Sequence, residues 1–287
     1  RLAIIDLETG AQPLFASQNT GKEEAGTGPG GAGVSPGTPR PRTGTGKAAL
    51  IANGEIYNYV ELKLDMGRVE FRTGSDCEPP LHLYLRHGLD FARHLRGMYA
   101  ITICDPAEDS LVLARDPFGI KPLYYAETAE GLAFASEPQA LFRAGLVKPV
   151  LRPEARDELL QLQFTTGAGT VFEGVHRLLP GETVQVRGGR ITDRLSRKAL
   201  PQGGPIEVSP SAALQRLDEV LSDSVNIHQR SDVPYGMFLS GGIDSSALLA
   251  MMSRLNEHPV RAFTAGFSGA HVADERDHAR AVAEAAG

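Results

Sequence analysis

The sequence contains no tryptophan, only two cysteines, and no apolar run approaching the roughly 20 residues that span a bilayer. Cys77 and Cys104 cannot build the disulfide framework of a small secreted domain. Both are expected to be reduced thiols buried in the core of a cytoplasmic protein. Positive charge is also scarce: 29 basic against 35 acidic side chains leave a formal net charge of −6. Nucleic-acid binding, which needs a basic face or stripe, is therefore not expected. The eight histidines show no metal-ligand spacing, which argues against a structural zinc.

What is present suits one or two globular domains, with 41% hydrophobic and 22% charged residues over 287 positions. Two shifts in composition divide the chain. Residues 18–46 are dense in Gly, Pro, Thr and Ser and nearly devoid of large apolar side chains. Such a segment cannot offset the entropy of ordering it, so a disordered surface insertion is expected. The second shift lies at 201–210, around Gly203-Gly204, and reads as a linker.

Between these shifts, short apolar runs alternate with turn residues. Strands are expected at 2–7 and 48–52, and hairpins at 99–105 with 110–114, 123–126 with 132–135, and 181–194 around Gly188-Gly189. Helices are expected at 57–64, 80–87 and 136–144, with Pro79-Pro80 delaying the second of them. After the linker the period changes. Leu214, Leu217, Val220, Leu221 and Val225 recur at helical spacing. A strand at 233–239, a helix at 245–255, a strand at 260–266 and a helix from about Asp274 then follow. This β-α-β order is the unit of a parallel sheet. The expected domains are an α+β domain over 1–198, a linker over 199–210, and part of an α/β domain over 211–287.

The strongest chemical signal is Phe238-Leu239-Ser240-Gly241-Gly242-Ile243-Asp244-Ser245-Ser246, where an apolar strand gives way to a helix. Paired glycines let backbone wrap closely around an anion, and the helix offers unpaired N–H groups and the positive end of its dipole. Asp244 would repel a phosphate unless Mg²⁺ bridged them, so it is the expected metal ligand. No Lys follows the glycines as in a Walker-type loop, and the third spaced glycine of a dinucleotide fingerprint is missing. A plain Gly-Gly turn with an Asp/Ser helix cap is the alternative reading of the spacing.

Upstream, Asn53-Gly54-Glu55 closes a strand, and Asp76 follows in Gly74-Ser75-Asp76. An α-amino acid ligand needs acceptors for its ammonium and donors for its carboxylate. Glu55 or Asp76 suits the first and Arg1 the second. The N–H groups of Asn53 and Gly54 are candidate oxyanion donors during amide hydrolysis. Singly, each of these residues reads more readily as a turn former or surface charge than as a ligand group.

The ordered strings are more specific than the single residues. They are NGEIYN (53–58), FRTGSD (71–76), LRGMYA (95–100), RDPFGIKPLYY (115–125), FASE (134–137), VFEGVHRLLPGE (171–182) and SDVPYGMFLSGGIDSS (231–246). With RLAIIDL (1–7) and Gln12-Pro13, this series resembles the glutamine-hydrolysing asparagine synthetase family. The resemblance implies an N-terminal-nucleophile glutaminase-like domain of αββα layering, followed by the beginning of an ATP pyrophosphatase domain. It implies ATP and Mg²⁺ as cofactors, glutamine as nitrogen donor and a carboxylate acceptor, in the best-known members aspartate. Ammonia then passes between the domains, and a homodimer is an open expectation. Arg1, Asn53, Gly54, Glu55 and Asp76 fall on the family's glutamine-binding places. Leu239, Ser240, Gly241, Gly242, Asp244, Ser245 and Ser246 fall on its pyrophosphate loop, and Ala265 lies where adenine is bound.

The family's nucleophile is an N-terminal cysteine, which would precede Arg1, and neither Cys77 nor Cys104 can replace it. Both ends of the chain read as internal to a longer protein, and the piece by itself is expected to be inactive. Relatives of the same architecture amidate other acceptors: β-lactam synthetases, peptide-cyclising enzymes, and amidotransferases of polysaccharide or peptide synthesis. A non-catalytic relative is the remaining alternative.

Overall fold

Alternation with period two builds two sheets and sorts their residues between neighbouring layers. The computed structural model of the chain describes residues 11–16, 46–266 and 274–287. The strand expected at 2–7, Arg1 and residues 18–45 of the insertion lie outside the described residues. The chain divides into two units, 1–202 and 203–287.

The first unit runs β1 (Leu14–Ala16), β2 (Ala48–Ile56), α1 (Tyr59–Met66), α2 (Glu78–His87), a 3-10 helix (Gly88–His94), β3 (Gly97–Asp105) and β4 (Ser110–Arg115). It continues through β5 (Tyr124–Thr128), β6 (Gly131–Ala135), α3 (Pro138–Arg143), α4 (Pro153–Leu162), β7 (His176–Arg177), β8 (Glu182–Arg187) and β9 (Arg190–Ser196). One antiparallel sheet has the order β1-β2-β3-β4-β8-β9, and a second has the order β6-β5-β7.

Alternate residues show how these sheets are layered. Leu50, Ile56, Tyr99, Ile101, Ile103 and Val112 point one way and cluster with Leu62 of α1, Leu81 and Leu85 of α2, and Phe91. Ala100, Leu113 and Val184 point the other way, against Leu123 and Tyr125 beside the second sheet. Ala126, on the outer face of that sheet, meets Leu141 of α3 and Val175. The layers are therefore helix, six-stranded sheet, three-stranded sheet, helix, the αββα order that the resemblance implies.

Four sequence expectations need correction. The second helix starts at Glu78, ahead of Pro79-Pro80 rather than after them. Prolines in a first turn surrender N–H groups that have no intrahelical partner there, so they do not delay the helix. Cys77 is buried as expected, but Cys104 is exposed. It sits near the end of β3 on the same face as Ala100, outside the cluster between the sheets. The first helix begins at Tyr59, because Tyr57 N–H is drawn instead to Arg96 O at 2.8 Å. Finally, α4 and the 3-10 helix have no counterpart among the expected elements. Only Ala155 of α4 is buried, so no apolar periodicity announces it.

The second unit contains α5 (Pro210–His228), β10 (Gly236–Phe238), α6 (Ile243–Leu255), β11 (Arg261–Phe263) and α7 (Arg276–Ala286). Ser209 caps α5, its Oγ accepting from Ala212 N at 3.2 Å. β10 and β11 pair in parallel across α6, as the β-α-β order requires, although both are shorter than the apolar runs around them. Leu239, Leu249 and Ala279 form the buried core of this unit. No helix among the described residues is long and apolar enough to cross a membrane.

Candidate active site

At Asn53-Gly54-Glu55 the apolar rhythm of β2 breaks, and strand spacing explains the glycine. Gly54 lies opposite Tyr99. A Cβ at Gly54 would run into the Met98 carbonyl oxygen and lie 2.6 Å from Tyr99 Cα. Both obstacles are backbone, so only glycine permits this approach of the two strands.

Past β1, the outer edge of β2 is capped by side chains. Gln12 pairs with Ala52 through both amide atoms, Nε2 donating to Ala52 O at 2.9 Å and Oε1 accepting from Ala52 N at 2.8 Å. Ile56 N donates to Asp76 Oδ2 at 2.7 Å. Backbone N–H groups alternate in direction along a strand, so that of Gly54 points to this same edge, between Gln12 and Asp76. That of Asn53 turns inward to β3. Of the two backbone donors anticipated, the geometry leaves Gly54 at the edge and turns Asn53 away from it.

Glu55 and Asp76 are each only 5% exposed. Burial, reinforced by the Asp76 carboxylate, pushes Glu55 up to about 7, and Lys121 draws it back. Burial also raises Asp76, against the hydrogen bonds it receives from Ile56 N–H and Cys77. Two buried carboxylates that resist ionising together are relieved by a cation placed between them, such as an ammonium group. Tyr57, raised by burial and by Glu55, Asp116 and Asp76, belongs to the same cluster.

Asp76 stands on a loop anchored from behind. Glu78, 1% exposed at the start of α2, accepts from Arg72 N and Thr73 N at 2.8 Å each and from Thr73 Oγ1 at 2.6 Å. Lys63 Nζ donates to Gly74 O at 2.9 Å. Burial by itself would raise Glu78, but His82 and the donors at Arg72 and Thr73 outweigh it and hold the carboxyl down at about 2. A folded pKa below the ordinary carboxylate value of 4.5 gives stability that is complete above that pH and lost as pH falls towards 2. Glu78→Gln is expected to lower stability at neutral pH and to flatten its decline across this acid window. Urea midpoints measured at several pH values test both effects.

The strand-to-helix loop of the second unit is organised by its own hydroxyls. Gly242 N donates to Ser240 Oγ at 3.3 Å, the Ser240 and Ser245 hydroxyls are 3.0 Å apart, and Ser245 Oγ donates to Gly242 O at 3.2 Å. Gly241 adopts φ +81°. Leu239, buried at the strand end, receives Thr264 Oγ1 on its carbonyl at 2.7 Å. Asp244 is exposed in the first turn of α6, and Ala265 is exposed beyond β11. Ser246 Oγ is buried without a hydrogen-bond partner among the described residues. A helix N-terminus with an orphaned hydroxyl and a preformed glycine–serine turn fits a phosphate group. An exposed carboxylate beside it fits a bridging Mg²⁺.

The structure thus brings Asn53, Gly54, Glu55 and Asp76 to one strand edge, and residues 239–246 to one loop. Arg1 lies outside the described residues. Tyr57, Asp116 and Lys121 were not singled out from sequence as site residues, although the NGEIYN and RDPFGIKPLYY strings carry them.

Residues 37–196 match the glutamine amidotransferase domain family, and residues 216–287 match asparagine synthase. Asparagine synthetase [glutamine-hydrolyzing] 1 of Bacillus subtilis is 35% identical over 271 residues, which cover 93% of this chain and 38% of that protein. Asparagine synthetase [glutamine-hydrolyzing] 1 of Saccharomyces cerevisiae is 30% identical, over 88% of this chain and 35% of its own length. A solved glutamine phosphoribosylpyrophosphate amidotransferase from Bacillus subtilis aligns at TM-score 0.41 and 19% identity, over 91% of this chain and 49% of that one. The chain therefore spans well under half the length of the curated relatives it matches. With a glutamine amidotransferase domain followed by asparagine synthase sequence, it belongs to the glutamine-hydrolysing asparagine synthetase family.

Proposed function

We propose that the whole protein is a glutamine-dependent asparagine synthetase. One observation supports this above the others: a single chain carries both a carboxylate-lined strand edge and a glycine–serine phosphate cradle. At the first, Glu55 and Asp76 would take the glutamine ammonium, and Arg1 its carboxylate. The Gly54 N–H and the Asn53 side-chain amide would receive negative charge building on the amide oxygen, the role of an oxyanion hole. The attacking thiol is the N-terminal cysteine implied by the family. Hydrolysis leaves glutamate and frees ammonia.

At the second, Ser240, Gly241, Gly242, Ser245 and Ser246 would hold ATP phosphates, with Leu239 and Ala265 alongside the nucleotide. Mg²⁺, held by Asp244, would supply neutralising charge to those phosphates. ATP activates the aspartate side-chain carboxylate as an acyl-adenylate and releases pyrophosphate. Ammonia then displaces AMP and yields asparagine. A cytoplasmic location and a homodimeric assembly belong to the same reading.

Full-length protein incubated with ATP, Mg²⁺, glutamine and aspartate is expected to release pyrophosphate and AMP only when aspartate is present, with asparagine formed. Intact glutamate release with no aspartate dependence of pyrophosphate and AMP release would replace aspartate by another carboxylate acceptor and leave the two-site architecture standing.

A further inference from the structure

The loop after β4 is held far more firmly than a connection between strands requires. Asp116 is fully buried, and its carboxylate gathers four backbone N–H groups. Phe118 and Ile120 donate to Oδ1 at 3.1 and 2.9 Å, while Lys121 and Tyr99 donate to Oδ2 at 3.0 and 3.3 Å. Arg115 gathers carbonyls in the complementary way. Its guanidinium donates to Lys121 O at 2.8 Å, Gly119 O at 2.7 Å and Leu178 O at 2.6 Å. Apolar burial does not hold this loop, because Phe118 and Ile120 are 67% and 58% exposed. Adjacent, oppositely charged residues thus fix the N–H and C=O groups of one five-residue stretch. Buried networks satisfied to this degree rigidify what they hold.

Sheet register shows where the loop stands. Asn53 lies opposite Ala100, and Ala100 opposite Arg115. In the next row Gly54 lies opposite Tyr99, whose carbonyl receives Asp116 N at 2.9 Å. The loop therefore leaves the sheet level with Asn53-Gly54-Glu55, two strand spacings away, about 10 Å. Its charges reach the site: Lys121 acts on Glu55, and Asp116 on Tyr57.

We propose that Arg115 and Asp116 are positioning residues of the glutamine site, which fix the 116–121 loop so that the Lys121 cation stands beside Glu55. The inference rests on the glutamine reading given above. Among the described residues, Asp76 from the loop before α2 and Lys121 from the loop after β4 act on Glu55, while Glu55 and Asp116 act on Tyr57 in the turn after β2. Lys121 is the cation among them. It favours the ionised form of Glu55, so that a substrate ammonium meets an anion rather than a neutral acid.

The test is glutamate release from glutamine by the full-length protein, followed across pH. For Lys121→Met, the glutamine KM near neutral pH is expected to rise about tenfold with kcat within about threefold of wild type, and the acid limb of kcat/KM to move up by about one pH unit. Lys121→Arg is expected to restore both. Asp116→Asn is expected to raise KM and move the limb in the same direction, with thermal unfolding of each variant as the control for folding. A Lys121→Met enzyme with an unmoved acid limb and an unchanged KM would overturn the inference. So would equal losses of kcat in the Met and Arg variants without movement of the limb, since that pattern is plain structural damage. Wild-type protein that releases no glutamate would overturn the glutamine reading itself, and this inference with it.

Discussion

Gly54→Ala is expected to abolish glutamine hydrolysis. The new methyl group would meet the Met98 carbonyl oxygen and the Tyr99 Cα and Cβ. The first two are backbone atoms in the middle of a sheet and have no rotamer by which to retreat. Overpacking of this kind costs about 1–3 kcal/mol, and two rigid neighbours place it at the upper end. Separation of β2 from β3 would also displace the Gly54 N–H from its place between Gln12 and Asp76. Loss of a single oxyanion donor typically costs about 10²–10³ in rate, so glutamate release should fall by at least that factor. Glutamate release and a urea unfolding curve together provide the check. Hydrolysis close to wild type would remove Gly54 from the site.

The second large effect is expected at Gly241→Ala in the phosphate loop. Gly241 sits at φ +81°, a conformation costing an L residue roughly 1–2 kcal/mol. Its Cβ would also come within 2.8 Å of Ala279 N and of His278 Cβ, so α7 would have to shift or the loop deform. Deformation would break the hydroxyl relay between Ser240, Gly242 and Ser245 that shapes the cradle. ATP-dependent pyrophosphate release by the full-length protein is expected to fall by about 100-fold or more, in line with loss of several aligned phosphate donors. Glutamate release, carried by the other unit, serves as the control for folding. Retention of pyrophosphate release would show that the loop does not hold the phosphates.

Local pattern made much of this legible. Hairpins were readable because β3–β4, β5–β6 and β8–β9 each connect neighbouring runs through Gly- or Asp-rich turns. The β-α-β order at 236–263 was readable for the same reason. Glu55 and Asp76 could be named as a pair from the motif strings, but not as neighbours. They are 21 residues apart in the chain and are brought together by the bond from Ile56 N–H to Asp76.

Other features left no local trace. Cys104 lies in an apolar run, yet is exposed and stands outside the cluster between the sheets. Glu78 reads as an ordinary acidic residue at a helix start until Arg72, Thr73 and His82 are seen to converge on it. Arg115 acquires its meaning from Leu178, 63 positions away.

By itself the sequence determined the period of most elements, though not of α4 or the 3-10 helix, most of the turns between them, and the residue types able to bind an ammonium or a phosphate. These depend on neighbours within a few positions, where backbone sterics and propensity act. The tertiary structure decided which carboxylates are buried within each other's influence, which N–H of β2 faces outward, and which cation acts on Glu55. Those choices arise from distant segments, where burial raises the cost of charge and fixes the partners that relieve it.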